Sequence, residues 1–416
     1  MKNILVIVLL SCCGTICAQS LEQMYPKSLQ VKVTNPLKRG RENLLVTISS
    51  DQLKKNAKDF NMKSFVVVDG KVEVPSQFIQ DKNSIGFVLT AIGSGEVRTI
   101  TVRYNAKGEN VRAYPKKTQA ELSHKTGGEW KNREYIGGAF KNVSALHVPP
   151  EHKDHSWFIR YEGPGWESDK VGYRFYLDQR NATDVFGKTT PDMVMQQVGL
   201  DGFDSYHNMQ SWGMDVMKVG KSLGIGSIGA LDGGTTIRVE KTDSVYCAIT
   251  GNGSVYSAIQ TNYYGWKIGE NKVNLQSLIS IHAGTRLTHQ ELTANKDVEN
   301  LCTGVVKDKA ATMIRDQGDD KHFGYIATWG KQSLNNDDLG LAIFFNPQQF
   351  KNFADDELSH IVALKTSGAK LDYYFLGAWV LEPDGIKNQE QFEAYIKSVA
   401  EELSNPLQVQ VSKGKK

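Results

Sequence analysis

From residue 29 to residue 104, apolar and polar positions alternate in short runs: LQVKVTN, NLLVTIS, SFVVVDG, VPSQFI, SIGFVLTA and VRTITVRYN, separated by Asn-Pro, Asp-Gly and Gly-Ser. Alternation with period two sends successive side chains to opposite faces, and the turn residues between runs predict a small antiparallel sandwich. Gly108 to Gly128 breaks the pattern with polar residues, including YPKKTQ, and predicts a linker. From Tyr135 the runs are longer and rich in aromatics, among them SWFIRYE, VGYRFYLD, TTIRVEK, HFGYIATWG, LGLAIFFN and LDYYFLGAWVLEP. Repeated strands of this length predict large antiparallel sheets stacked face to face. One stretch has the helical period instead. In NQEQFEAYIKSVAEELSNP, Phe392, Tyr395, Ile396, Val399 and Leu403 share a face and Pro406 closes it. PDMVMQQVG, with Pro191 near its start and Gly199 at its end, predicts a second, shorter helix. The expected fold class is mainly β: a small N-terminal β-sandwich at 19–110, a linker at 111–134, and a large antiparallel β domain at 135–416 with a C-terminal helix.

Residues 1–18 have one lysine, an apolar run and small residues ending in Ala18, the layout of a secretory signal peptide, and are set apart from the fold. That run is too short to span a bilayer, and no later segment reaches the roughly 18 apolar residues a spanning helix needs, so no membrane span is expected. Secretion, to a periplasm, is the expected location, with a lipoprotein anchor at Leu9-Leu10-Ser11-Cys12 as the alternative. Three of the five cysteines leave with the signal; Cys247 and Cys302 remain, as one bridge or as two buried thiols. The net charge of +3 is well mixed and offers no continuous basic surface for nucleic acid. The lysine-rich VSKGKK reads as a frayed terminus. No phosphate loop, dinucleotide fingerprint, serine elbow or His-Glu-x-x-His helix is present, and no cofactor is expected. GIGSIGA lacks the flanking elements of a dinucleotide loop and reads as a close-packed turn. His147, His152 and His155 lie close in HVPPEHKDHSW, but their irregular spacing suits solvated histidines on a loop better than a metal site.

Two stretches carry more chemistry than a core needs. RYEGPGWESDKVGYRFYLDQRNATDVFGK reads as strand, turn at Gly163-Pro164-Gly165, and returning strand. Strict alternation puts Tyr173, Phe175 and Leu177 on one face and Arg174, Tyr176 and Asp178 on the other. That polar face is either an internal ladder of ion pairs and tyrosine hydroxyls, or a concave face for sugar, with rings stacking and charged groups forking to hydroxyls or carboxylates. In the second stretch, DGFDSYHNMQSWGMDVMKVGKSLGIGSIG, Tyr206, His207, Trp212, Asp215, Lys218 and Lys221 crowd into an irregular segment of the kind that carries function. His207 can serve as a base near neutral pH, or simply bridge loop carbonyls.

Together these stretches resemble a family of secreted bacterial proteins of unknown function, commonly encoded in polysaccharide-utilisation loci; the resemblance spans nearly the whole mature chain. That family is similar to the β-supersandwich proteins related to galactose mutarotase, which also supply domains to polysaccharide lyases, and to an oligosaccharide dehydratase acting on uronic-acid products. The resemblance implies a large β-supersandwich and β-elimination across C4 and C5 of a uronosyl residue, expelling a sugar or water. Such a reaction needs a neutralised carboxylate, a base at H5 and an acid at the departing oxygen. Matching chemistry to residue types, Arg160 and Arg174 are candidate carboxylate clamps. His207 with Tyr206 or Tyr161 are candidate base and acid. Trp166 and Trp212 would wall the subsite, and Glu167, Asp169, Tyr176, Asp178, Asp215 and Lys218 would bind substrate groups. The expected partner is a uronic-acid-containing oligosaccharide or polysaccharide. Two alternatives stand beside this: a glycoside hydrolase drawing a carboxylate pair from Glu162, Glu167, Asp169, Asp178 and Asp215, and a non-catalytic glycan-binding or mutarotase-like protein.

Overall fold

In a computed structural model that describes residues 20–414, the alternating runs before residue 105 form two packed antiparallel sheets. One has the strand order Gln408–Lys413, Lys27–Thr34, Val97–Tyr104, Phe65–Asp69, Val72–Val74, and the other Arg41–Ser49, Ser84–Ile92, Ser76–Ile79. Leu29, Val31 and Val33 meet Val46, Ile48 and Phe87 between them. The short helix Ser50–Asn56, not suggested by the alternation, is started by a capping box in which the Ser49 and Gln52 side chains bond each other's backbone amides. The outermost strand comes from the far end of the chain: Val411 and Val409 pair with Val31 and Val33. The tail expected to fray is therefore a strand through Lys413. The expected signal peptide lies outside the described residues.

The remaining strands build a nine-stranded antiparallel sheet, two five-stranded sheets and a two-stranded hairpin of Ser123–Lys131 with Glu134–Asn142. The large sheet runs from Ala145–His147 at one edge through Tyr256–Ile268, Asn271–His282 and Lys370–Trp379 to Ala311–Asp316 at the other. Its inner face, with Trp266, Leu275, Tyr373, Phe375 and Trp379, shares one core with the smaller sheets. The helix Gln389–Ser404 forms as its periodicity predicts and lays Phe392, Ile396, Val399 and Ala400 on the outer face against Tyr325, Trp329 and Phe344. The N-terminal sandwich rests on the same outer face, where Ile79 packs on Tyr256 and Ala258.

Three expected elements differ. The segment read as a linker contains the strands Thr118–Glu121 and Ser123–Lys131; the polar residues of the first are buried against an ionic sheet face, not solvated. PDMVMQQVG makes isolated turns, because a side-chain carboxylate captures the amides of Val194 and Met195. SWFIRYE is irregular, closing in a single 3-10 turn at Arg160–Glu162. Cys247 and Cys302 are separate buried thiols.

Sheet contact is close at Gly187, where a Cβ atom would lie 2.3 Å from the Trp379 ring. The variant Gly187→Ala is expected to lose about 2 kcal/mol of stability through overpacking, read from urea unfolding midpoints; an unchanged midpoint would show that the sheets can part there.

Candidate functional site

The site is organised by one five-stranded sheet, in the order Gly213–Asp215, Thr183–Lys188, Val171–Phe175, Gly165–Ser168, Thr118–Glu121. Its register aligns Glu121, Gly165, Arg174 and Asp184 in one row, and Gln119, Glu167, Gly172, Phe186 and Asp215 in the next. Residues on alternate positions face the other way. Trp166 and Tyr173 therefore stack in the core at 5.5 Å, with Trp166 Nε1 donating to Thr288 Oγ1. Trp166 presents no ring to a ligand, which corrects its expected place in a subsite.

The ionic face is covered by two irregular segments, 155–163 and 189–212, and its charges hold them down. Glu167 accepts from the amides of Val194 and Met195 at 2.8 and 2.7 Å and pairs with Lys188 at 2.7 Å; both charged side chains are 0% exposed. Arg160 pairs with Glu121 and donates to the Gln196 carbonyl at 2.6 Å. Burial pushes Glu121 up to about 7 against the pull of Arg160. Tyr161 fills the space over Gly165, where a Cβ atom would meet its hydroxyl at 2.5 Å. Arg160, Glu167 and Tyr161 are thus buried within the cover, and none of them opens to substrate.

At the centre, Arg174 donates to Asp184 Oδ2 at 2.9 Å and Asp215 Oδ2 at 2.8 Å, with the Tyr206 hydroxyl at 2.9 Å and the Tyr176 hydroxyl at 3.1 Å. This guanidinium is enclosed by its own carboxylates and cannot clamp a substrate's. Burial, then the neighbouring Asp215, pushes Asp184 up to about 7. His207 completes the group: Nε2 lies 3.4 Å from the same Asp215 oxygen while its side chain is 42% exposed. The hydrogen bond to Asp215 raises its pKa above the ordinary imidazole value. His207, Tyr206, Arg174, Tyr176 and Asp215 are therefore brought together, with only His207 at the surface.

Trp212 packs on Phe186 in the same cluster as Tyr206 and Phe203, while the other expected residues stand apart. Asp178 is buried on Arg180. Asp169 accepts from the Gly284 amide at 2.6 Å, and Lys218 lies 3.9 Å from Asp308.

Beside His207 is a strained loop. His155, Trp157, Tyr161 and Glu162 all have positive φ, between 35° and 70°, a conformation that bulky residues adopt only when their surroundings impose it. It sets the half-buried Trp157 against Phe203 at 4.2 Å, with Phe203 also 5.2 Å from the His155 ring. Lys125, from the hairpin Ser123–Asn142, reaches over Trp157 at 5.7 Å. Asp154, His155 and Glu162 converge closely enough for a metal ion, but Arg180 already bridges Asp154 and Glu162 at 2.7 and 2.8 Å. His152, expected to be solvated, is buried and bonded to Ser156. Lys125, Trp157 and Phe203 were missed by pattern: the first lay in the supposed linker, and the second in a supposed strand where positive φ leaves no trace.

Residues 33–409 match a domain of unknown function, DUF4861. The chain belongs to this family. No curated protein matches this DUF4861 chain. Among solved structures it is similar to an alpha-mannosidase from Enterococcus faecalis V583, with a TM-score of 0.47 and 9% identity over 93% of this chain and 46% of that one. It is also similar to a protein in glycosyl hydrolase family 38 from Enterococcus faecalis, with a TM-score of 0.46 and 9% identity over 94% and 48%. The DUF4861 chain spans less than half the length of either, and its functional reading rests on its own residues.

Two outcomes follow for the ionic face. Replacing Lys188 with Met strands the buried Glu167 and is expected to cost about 3 kcal/mol, measured by chemical unfolding; a neutral effect would mean that the backbone amides alone satisfy Glu167. The raised pKa of His207 means its pairing with Asp215 contributes fully below the unfolded imidazole's value, about 6.5, and fades as pH rises through the folded value. The stability difference between wild type and His207→Ala should accordingly shrink from pH ~6 to pH ~8; a difference that grows would place the charge elsewhere.

Proposed function

We propose that this protein acts on acidic oligosaccharides released from polysaccharides, by β-elimination at C4–C5 of a uronosyl residue. One observation carries the reading: the exposed imidazole of His207 is backed by Asp215, which Arg174 and Tyr206 hold rigidly from within. A proton-transfer group needs this combination of access and fixed orientation. The carboxylates that a hydrolase would need are otherwise engaged, since Glu162, Glu167, Asp178 and Asp215 are buried and ion-paired. Elimination requires no such pair.

In this reading His207 takes H5, the electrons form the C4–C5 double bond, and the C4–O bond breaks. In a syn elimination the same imidazolium returns the proton to the departing oxygen. The cation that quiets the substrate carboxylate moves from Arg160 and Arg174 to Lys125, which has no ion-pair partner among the described residues and lies over Trp157. The half-buried Trp157, backed by the buried Phe203, supplies the ring surface in place of Trp166. An N-terminal export signal, with a periplasmic or lipid-anchored destination, is part of the same proposal.

The test is incubation with uronic-acid oligosaccharides while following the ultraviolet absorbance of the conjugated alkene. The wild type should generate it. His207→Ala should reduce the rate by at least ~100-fold, the lower range for loss of a general base, when assayed near pH ~8, where the stability contributed by its pairing with Asp215 has faded. Lys125→Met should raise KM more than it lowers kcat. New reducing ends without the alkene would favour hydrolysis; full activity in His207→Ala would remove the proposed base.

A further inference from the structure

A second imidazole stands beside the ring surface of Trp157, and the reaction as drawn above leaves it idle. The side chain of His155 is 66% exposed. Its Nδ1 donates to Asp154 Oδ1 at 2.6 Å, and Nε2 has no protein partner among the described residues. Its backbone amide donates to Glu162 Oε1 at 2.9 Å, which pins the residue at its positive φ of 57°. A histidine that merely meets water needs no such backbone; strain of this kind persists only where the surroundings over-determine it.

The arrangement repeats that of His207. Behind His155, Asp154 Oδ1 is held by Arg180 at 2.7 Å; behind His207, Asp215 Oδ2 is held by Arg174 at 2.8 Å. Both guanidinium groups lie against the ring of Tyr176, Arg180 at 3.8 Å from its centroid and Arg174 at 4.8 Å. The two Arg-Asp-His sets thus share one spacer, and Arg180 is fixed further by Glu162 at 2.8 Å and by Asp178. Nearer the surface Phe203 joins them. Its ring meets His155 at 5.2 Å and Trp157 at 4.2 Å, and it packs in one cluster with Tyr206, whose ring is 4.6 Å from that of His207. The sets differ in one respect: Asp215 is buried and Asp154 is partly exposed, so the His155 set is the more open to solvent.

We infer that His155 is a second catalytic residue, the acid that protonates the oxygen departing from C4 while His207 takes H5. The inference rests on the proposed elimination and divides its two proton transfers between two imidazoles. His207 removes H5 as a proton, the C5–H electron pair becomes the C4–C5 double bond, and the C4–O pair leaves with the oxygen. Nε2–H of the His155 imidazolium then supplies the proton that makes the leaving group an alcohol or water. Asp154 stabilises that imidazolium beforehand. Afterwards His155 regains a proton from water and His207 gives one up, so both rings return to their starting states. The charged groups facing His155 are Asp154 and Glu162 of its own loop and, through both of them, Arg180; the covering segment 189–212 meets it with the neutral Phe203 ring.

The test uses whichever of oligogalacturonate, oligoalginate or a sulfated uronate-containing oligosaccharide the wild type converts, and a matching uronosyl compound with fluoride at C4. Fluoride departs with little need of a proton, and both substrates give the conjugated alkene. His155→Asn keeps a residue that tolerates positive φ. It should slow the oligosaccharide by at least ~100-fold and the fluoride by less than ~5-fold, the pattern of a lost general acid. Turnover of the fluoride then also shows that the variant is folded. His207→Ala should lose both substrates. Asp154→Asn should move the alkaline limb of the kcat/KM profile to lower pH, because the imidazolium of His155 loses its carboxylate and gives up its proton more readily. Equal losses on the two substrates in His155→Asn, or no loss on the oligosaccharide, would overturn the inference and leave the elimination standing. A wild type that forms the alkene from none of the three oligosaccharides would overturn both.

Discussion

A sheet buried on both faces, one of them ionic, sets the terms for much of this molecule. Apolar residues could have covered that face without electrostatic cost. Instead Glu121, Glu167, Arg174, Asp184, Lys188 and Asp215 lie there with almost no access to water. A charge so placed is tolerated only if partners meet it, and the partners here include the backbone of the cover. The amides of Val194 and Met195 and the carbonyl of Gln196 are spent on Glu167 and Arg160. Removing the charges would release the cover's shape, and with it the loop that carries His207.

The same constraint separates what the sequence showed from what it concealed. Strand periodicity and the helix at Gln389–Ser404 were legible because each buries one face against an apolar neighbour. Alternation also placed Arg174 and Tyr176 correctly on one side and Tyr173 and Phe175 on the other. It could not say whether that polar side met water or protein, since the residue types needed for binding a sugar are also those needed for tying down a backbone. Arg160 and Glu167 were misread for this reason, and Trp166 because its ring belongs to the opposite, apolar face, stacked on Tyr173. Thr118–Glu121 was taken for a linker because a strand whose neighbours are charges looks like solvated chain. The neighbourhood of Tyr206, His207 and Asp215 was legible, because local irregularity and dense chemistry go together there.

Function then divides between inside and outside. Arg174 and its carboxylates are too enclosed to touch a ligand, yet they fix the one oxygen on which the accessible imidazole leans. Backbone strain at His155, Trp157, Tyr161 and Glu162 lies along the adjoining loop, so rigidity in the interior and unusual conformation at the surface are neighbours. Catalytic surfaces are commonly built that way, with strain held by packing elsewhere.

The pairing of Val31 and Val33 with Val411 and Val409 has a temporal consequence. The strand that completes the first sheet is synthesised after all of the intervening sheets, so during translation the N-terminal sandwich carries an unfilled edge at Lys27–Thr34 while they assemble. Such an edge is a template for any exposed strand nearby, and closing it late is a long-range event of the kind that slows folding. The strand Gln408–Lys413 therefore works as a clasp that can close only after the sheets between the two partners have been made.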